Sequence, residues 1–311
     1  MDTNLFVKYQ DKLLENCGKV ILGKEDVIRR IGVCLIASGH VLLEDLPGTG
    51  KTMLLRAFAR CIDGEFRRIQ FTPDILPSDL TGIHFYNQKD GVFEFRRGPL
   101  FANVILADEI NRAVHRSQSA LLEVMEERQI TIDGETYPLS EPYIVMATQN
   151  PIESYGTFPL PEAQLDRFFM KLSLGYMTPE QEKQVLRRQD TKDIIAGLEP
   201  IITKEELAQL RTSYREVEVS EPVADYLMAI VTATRGSDRL ACGASARGSL
   251  ALYKTAQITA AMEGRDYVIP EDVKNNAVEV LAHRLTMTAG SHLSPENYIR
   301  QLLDEIPVPV E

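Results

Sequence analysis

Up to about residue 175, short apolar runs alternate with segments of helical periodicity. "HVLLE" (40–44), "RRIQF" (67–71), "NVILAD" (103–108), "YIVMAT" (143–148) and "FFMKLSL" (168–174) have the length and apolar density of strands. Several are hydrophobic at nearly every position, which suits strands covered on both faces, as in a parallel sheet. Between them, "KTMLLRAFARCI" and "SQSALLEVMEER" read as helices. The alternation predicts an α/β layer architecture. One segment differs: "RQITIDGETYPL" (128–139) alternates apolar and polar residues on both sides of Asp133-Gly134, a strong hairpin signal.

From 176 to about 200 the chain turns polar and passes Pro179 and Pro200, so a boundary is expected there. Helical periodicity dominates beyond it. Val273, Ala277, Val280 and Leu281 make one apolar stripe behind Pro270-Glu271-Asp272, where the fixed φ of proline and acidic first-turn residues favour initiation. Leu250, Tyr253, Ala256 and Ala260 make another. The expected division is a first domain over 1–178, a linker over 179–200 and a helical domain over 201–311. A length of 311 residues agrees with two domains.

Composition narrows the class. With 44% hydrophobic and 25% charged residues the chain reads as an ordinary soluble globular protein. No apolar run approaches the ~18 residues of a membrane span. "MDTNLFVKYQDKLLENC" has no basic region followed by an apolar one, so a cytoplasmic location is expected. The four cysteines are scattered without a C-x-x-C, against both disulfides and zinc. The net charge of −11 divides into −5 over residues 1–175 and −6 over 176–311. Nucleic-acid binding draws on a basic surface, and neither half supplies one in bulk.

The chemistry begins in "LLEDLPGTGKTMLL" (42–55), an apolar strand, a glycine-bearing turn and a helix starting near Lys51. That is the context that makes a phosphate-binding loop meaningful. The turn from Pro47 through Gly48, Thr49, Gly50, Lys51, Thr52 and Met53, by its backbone N–H groups from Gly48 onward and the positive end of the helix, would cradle phosphates. Lys51 would reach the β and γ oxygens, and the Thr52 hydroxyl would ligate Mg²⁺. Gly48 and Gly50 let the backbone approach phosphate without a Cβ in the way. Asp45 stands where the generic pattern has its first glycine, at the far end of the loop, where its side chain can point away from the phosphates.

"VILADE" (104–109) is an apolar strand ending in two acids. In ATPases with such a loop, this places Asp108 beside the metal and leaves Glu109 to polarise the attacking water. "MATQNP" (146–151) ends another strand with Asn150, able to hold the lytic water or read the γ-phosphate. "EAQLDRFF" (162–169) places Arg167 before the last strand, and "GASARGSL" (243–250) places Arg247 at the start of a helix. Taken alone, each is also what a solvated acid pair, an Asn-Pro turn or a surface arginine looks like. Paired with the loop, chance becomes a poor explanation.

In this order the motifs resemble the MoxR family of AAA+ ATPases, from about Ile21 to Leu285. "RIQFTPDILPSDLTG" (68–82) and "FRRGPLFANVILADEINRA" (95–113) carry the same resemblance. It implies an αβα core with a five-stranded parallel sheet and a C-terminal all-α lid. It also implies a helix-2 insert starting in "TPDILPSDLTG", and that the hairpin at 128–139 precedes sensor 1. By the resemblance, Lys51 and Thr52 are Walker A, Asp108 and Glu109 Walker B, and Asn150 is sensor 1. Arg167 is the arginine finger and Arg247 the sensor 2 arginine, although Ala246 stands where proline is expected. "VILGKEDVI" (20–28), with Ile21 and Gly23, resembles the segment that wraps adenine.

The function the resemblance implies is an ATP- and Mg²⁺-dependent chaperone that remodels or matures partner proteins. It would act as a homo-oligomeric ring, commonly hexameric, and often with a von Willebrand factor A domain partner. The rival class is a nucleic-acid motor, since helicases share the insert and hairpin; the bulk acidity opposes it.

Overall fold

The computed structural model describes residues 3–46, 48–151, 156–187 and 191–309. Two helices, Asn4–Gly18 and Glu25–Ile36, precede the first strand, β1 (Val41–Glu44). Helix Lys51–Arg60 leads to β2 (Phe66–Gln70). A one-turn helix, Pro77–Thr81, and a hairpin of β3 (Gly82–Asn87) and β4 (Val92–Arg97) then intervene before β5 (Val104–Asp108). Helix His115–Glu127 is followed by a second hairpin, β6 (Gln129–Ile132) and β7 (Glu135–Pro138), then by β8 (Ile144–Gln149) and β9 (Met170–Leu172).

Five strands form one parallel sheet in the order β2-β5-β8-β1-β9. These are the five apolar runs of the sequence. Alternate residues of β5 enter opposite cores: Val104 and Leu106 pack with Leu54 and Phe58, while Ile105 and Ala107 pack with Leu121 and Leu122. Burial on both faces is why the central strands read as continuous hydrophobicity rather than alternation. β2 lies at the edge and keeps Arg67, Arg68 and Gln70 partly in water. Asp133 and Gly134, with φ of 50° and 87°, form the two-residue turn that joins Ile132 to Glu135. Only a turn of this hand matches the twist of the two strands.

Residues 179–200 hold helices Pro179–Arg187 and Thr191–Ala196, so this stretch has structure of its own. The C-terminal part is helical, with Lys204–Ser213, Glu221–Arg235, Ala246–Met262, Pro270–Lys274, Ala277–Leu281 and Pro295–Glu305, but not all-α, since Leu240–Cys242 and Thr286–Met287 pair as a short antiparallel ribbon. The stripe of Val273, Ala277, Val280 and Leu281 is buried, but in two helices broken at Asn275-Asn276. The Asn276 amide donates back to the Asp272 carbonyl at 2.9 Å.

The second stripe needs correction. Ala256 and Ala260 are buried, whereas Leu250 is 61% exposed and Tyr253 37%. Helix Ala246–Met262 is embedded on several sides, through Leu252, Ile258 and Met262 as well as small residues such as Gly248, Ala251 and Ala261. Leu250 and Tyr253 therefore do not mark the inward face. Leu250 lines a cavity described below.

Candidate functional site

Strands that run in parallel bring their carboxyl ends to one edge of the sheet, and the residues following β1, β5 and β8 meet there. After β1 the chain turns through Gly48 and Gly50, at φ of 83° and 90°, a left-handed conformation open to glycine at no steric cost. Pro47 lies outside the described residues. Helix Lys51–Arg60 starts directly after Gly50, so first-turn N–H groups without intrahelical acceptors open into the turn.

The Lys51 ammonium is buried and curls back under this turn. It donates to the Asp45 carbonyl, to the Leu46 carbonyl at 3.1 Å, to the Gln149 carbonyl at 3.4 Å and to Asn150 Oδ1 at 2.6 Å. These bonds satisfy a charge that would otherwise be costly to bury, and tie the end of β1 to the end of β8. The Asp45 carboxylate faces the other way. It accepts from the Leu46 N–H at 2.8 Å, the Gly175 N–H at 2.7 Å and the Ser173 hydroxyl at 3.1 Å. The Asp45 side chain therefore fastens the loop to the chain leaving β9 and takes no part in the cradle.

Asp108 is buried at the end of β5. Its Oδ1 accepts from the Thr148 hydroxyl at 2.6 Å, and its Oδ2 from the Thr52 hydroxyl at 3.3 Å and from Arg68 Nη2 at 2.7 Å. The next residue, Glu109, has φ of 57°, uncommon for a side chain of this size. Its N–H is held by the Thr148 hydroxyl at 2.9 Å. Glu109 Oε2 accepts from Gln70 Nε2 at 2.8 Å and pairs with Arg112 Nε at 3.0 Å.

Gly48–Met53, Arg68, Gln70, Asp108, Glu109, Thr148 and Asn150 line one cavity of about 420 Å³. Ile21 flanks it: a Cβ on Gly50 would stand 3.5 Å from Ile21 Cδ1. Gly23, at φ of 66°, lets the backbone pass against Gln181, where a side chain would collide. Thr52 and Asp108 offer two hard oxygens. That is the donor set of Mg²⁺, which keeps waters and substrate phosphates for its other positions.

Arg167 and Arg247 lie elsewhere, on a separate cavity of about 380 Å³ that includes Glu126, Arg128, Asp166, Lys254 and Arg284. Arg167 Nε stands 3.3 Å from Glu126 Oε2, and Arg247 Nη2 bonds the other oxygen of that carboxylate. Asp166 holds Arg247 Nη1 at 3.6 Å and Arg284 Nε at 2.9 Å. Burial pushes the Arg284 guanidinium down to about 10, with Asp166 opposing the shift. Arg247 does open a helix, behind the cap supplied by Ser245, as the sequence suggests. That helix start abuts the end of helix His115–Glu127, so Arg247 is drawn to Glu126 and not to the loop of its own chain.

The sequence reading missed Arg68, Gln70 and Thr148. Gln70 is the register partner of Asp108, and Thr148 is next to last in β8. Asking which residues end each parallel strand would have found both.

Residues 40–170 match the family described as ATPase family associated with various cellular activities (AAA), and residues 232–304 match the AAA lid domain. The chain is 46% identical over 303 residues to the uncharacterized protein YeaC of Bacillus subtilis, covering 96% of this chain and 95% of that one. It is 42% identical over 303 residues to the chaperone MoxR1 of Mycobacterium tuberculosis, covering 94% and 80%. Protein MoxR of Methylorubrum extorquens is 30% identical over 320 residues, covering 94% and 92%. The crystal structure of a candidate ATPase from Cytophaga hutchinsonii superposes with a TM-score of 0.89 at 39% identity, covering 99% of this chain and 98% of that one.

Proposed function

This chain belongs to the AAA ATPases of the MoxR type, and we propose that it works as an Mg²⁺-dependent, ring-forming molecular chaperone that remodels or matures partner proteins. The observation that carries the catalytic part is the convergence of the Gly48–Thr52 turn, Lys51, Asp108, Glu109 and Asn150 on one cavity. The loop amides and helix start bind the triphosphate. Lys51 exchanges its carbonyl acceptors for β and γ oxygens, and Asn150, already bonded to Lys51, reads the γ-phosphate. Thr52 and Asp108 would hold Mg²⁺, which when bound would neutralise phosphate charge. Glu109, aimed by Gln70 and Arg112, orients the attacking water and takes its proton. Ile21 and Gly23 flank the adenine.

Arg167 and Arg247 serve a neighbour. Neither lines the cavity of its own loop, and both point into a second basic cavity. A ring of copies, commonly six, would set that cavity against the γ-phosphate of the next subunit. The named chaperone among the relatives supports protein clients, and the resemblance supports a von Willebrand factor A domain protein as partner. A net charge of −11 argues against nucleic acid.

Glu109→Gln tests the reading. The amide still makes hydrogen bonds but cannot act as a base. ATP should stay bound while turnover falls about a hundredfold or more, the size of a lost general base. The trapped complex should retain client proteins in a pull-down. Hydrolysis near the parental rate would remove Glu109 from the base role, and ATPase stimulation by DNA would favour the motor instead.

A further inference from the structure

We propose that Arg68 is the resident counter-cation of the metal site: it occupies the Asp108 carboxylate until Mg²⁺ arrives, and must leave that oxygen for the ion to enter. The inference rests on the assignment of Asp108 as the metal-side acid.

Asp108 has two oxygens with different neighbours. Oδ1 is committed to the Thr148 hydroxyl at 2.6 Å, inside the sheet. Oδ2 faces Thr52, whose hydroxyl lies at 3.3 Å, and is the oxygen on the ligand side. It is this oxygen that Arg68 takes, with Nη2 at 2.7 Å and Nε at 3.2 Å. A carboxylate buried to this degree needs a charged partner, because desolvation otherwise disfavours the ionised form. Arg68 supplies that partner where the nucleotide and its metal have yet to bind.

The side chain is also placed to give way. It comes from the edge strand β2 and keeps 38% of its surface in water, against 8% for Asp108. Its neighbour Arg67 points to the opposite face of the strand and pairs with Glu65 at 2.7 Å, so only Arg68 reaches the site. Once released from Asp108, Arg68 retains a second acceptor, since Nη2 already bonds Gln70 Oε1 at 2.6 Å. A guanidinium and a divalent ion on one carboxylate oxygen repel strongly at contact distance. Arg68 and Mg²⁺ therefore compete, and Arg68 lowers metal affinity.

The test is a Mn²⁺ titration of the full chain loaded with a non-hydrolysable ATP analogue, following free Mn²⁺ by its paramagnetic signal. Arg68→Gln should bind Mn²⁺ about two- to fivefold more tightly, the size expected for losing a half-exposed ion pair. Without metal, the same variant should bind the analogue more weakly, because a positive charge has left the cavity. Arg68→Lys, which keeps the charge and loses the fork, should stay close to the parent in Mn²⁺ affinity. It also guards against a folding defect in the glutamine variant. Unchanged or weaker Mn²⁺ binding in Arg68→Gln, with Asp108→Asn losing the metal, overturns the competition alone. Full Mn²⁺ affinity in Asp108→Asn overturns the metal assignment and the inference with it.

Discussion

Asp45 shows what a single residue can hide. In the sequence it is a departure from the glycine pattern; in the fold its carboxylate accepts three hydrogen bonds, two of which pin the loop to Ser173 and Gly175. Asp45→Gly should therefore leave analogue affinity within a few fold, since the cradle is built from backbone beyond it. Stability should fall by roughly 1–3 kcal/mol, the cost of losing bonds to a charged, part-buried acceptor, read by thermal or urea unfolding. A large affinity loss with unchanged stability would place Asp45 in the site after all. Lys51, Thr52, Asp108 and Glu109 were legible because each belongs to a spaced pattern whose chemistry is specific. Arg68 and Gln70 were not, because two polar residues on an edge strand look solvated. Only the β2–β5 register, pairing Gln70 with Asp108, brings them across about forty positions of sequence to the acid pair.

Between elements, two histidines act as neutral clamps. His40, just before β1, accepts the Val145 N–H on Nδ1 at 2.9 Å and meets the Met125 carbonyl through Nε2 at 3.1 Å. An amide can only donate and a carbonyl only accept, so the ring is neutral with its proton on Nε2. It joins β8 to helix His115–Glu127 at the foot of β1. Burial pushes His40 down to about 3, with Arg128 adding to the shift. Burial also holds His283, bonded to the Phe168 carbonyl at 3.0 Å, well below the ordinary range, with Arg284 reinforcing it. The unfolded chain takes up these protons near 6.5 and the folded one does not. Stability is then full above about pH 6.5 and is lost progressively as pH falls toward the folded values. The loss is about 1.4 kcal/mol per pH unit for each histidine. The melting temperature should drop between pH 7.5 and 5.5, and His40→Gln should flatten that slope by its share; a parental melting temperature indifferent to pH would refute the clamp. At this scale the strands were legible because burial on both faces writes itself as unbroken hydrophobicity. The inward face of helix Ala246–Met262 was not, because the helix is buried on several sides, with Leu252, Ile258 and Met262 inside among alanines and glycine, while Leu250 and Tyr253 sit outside.

On the proposed reading, the whole molecule carries two incomplete halves of one reaction. One cavity has the loop and acids; the other has Arg167 and Arg247, each answering to Glu126 in the single chain. If both arginines serve a neighbour, specific ATPase activity should rise with protein concentration through the association range. Arg167→Ala and Arg247→Ala should each bind ATP and hydrolyse it poorly. Lys51→Ala should fail to bind, because loop amides alone do not balance the triphosphate charge. Mixing separates the alternatives. An Arg247→Ala subunit has an intact loop, and a Lys51→Ala neighbour has intact arginines, so a hybrid interface is complete if Arg247 acts across it. Activity should then return on mixing, as it should for Arg167→Ala with Lys51→Ala, once cross-linking has shown that the proteins co-assemble. If Arg247 acted on its own chain's nucleotide, every site in the first mixture would lack either Arg247 or Lys51, and that mixture would stay silent while the second recovered. The seating of Arg247 beside Arg167, on the same carboxylate and away from its own loop, predicts that both mixtures recover.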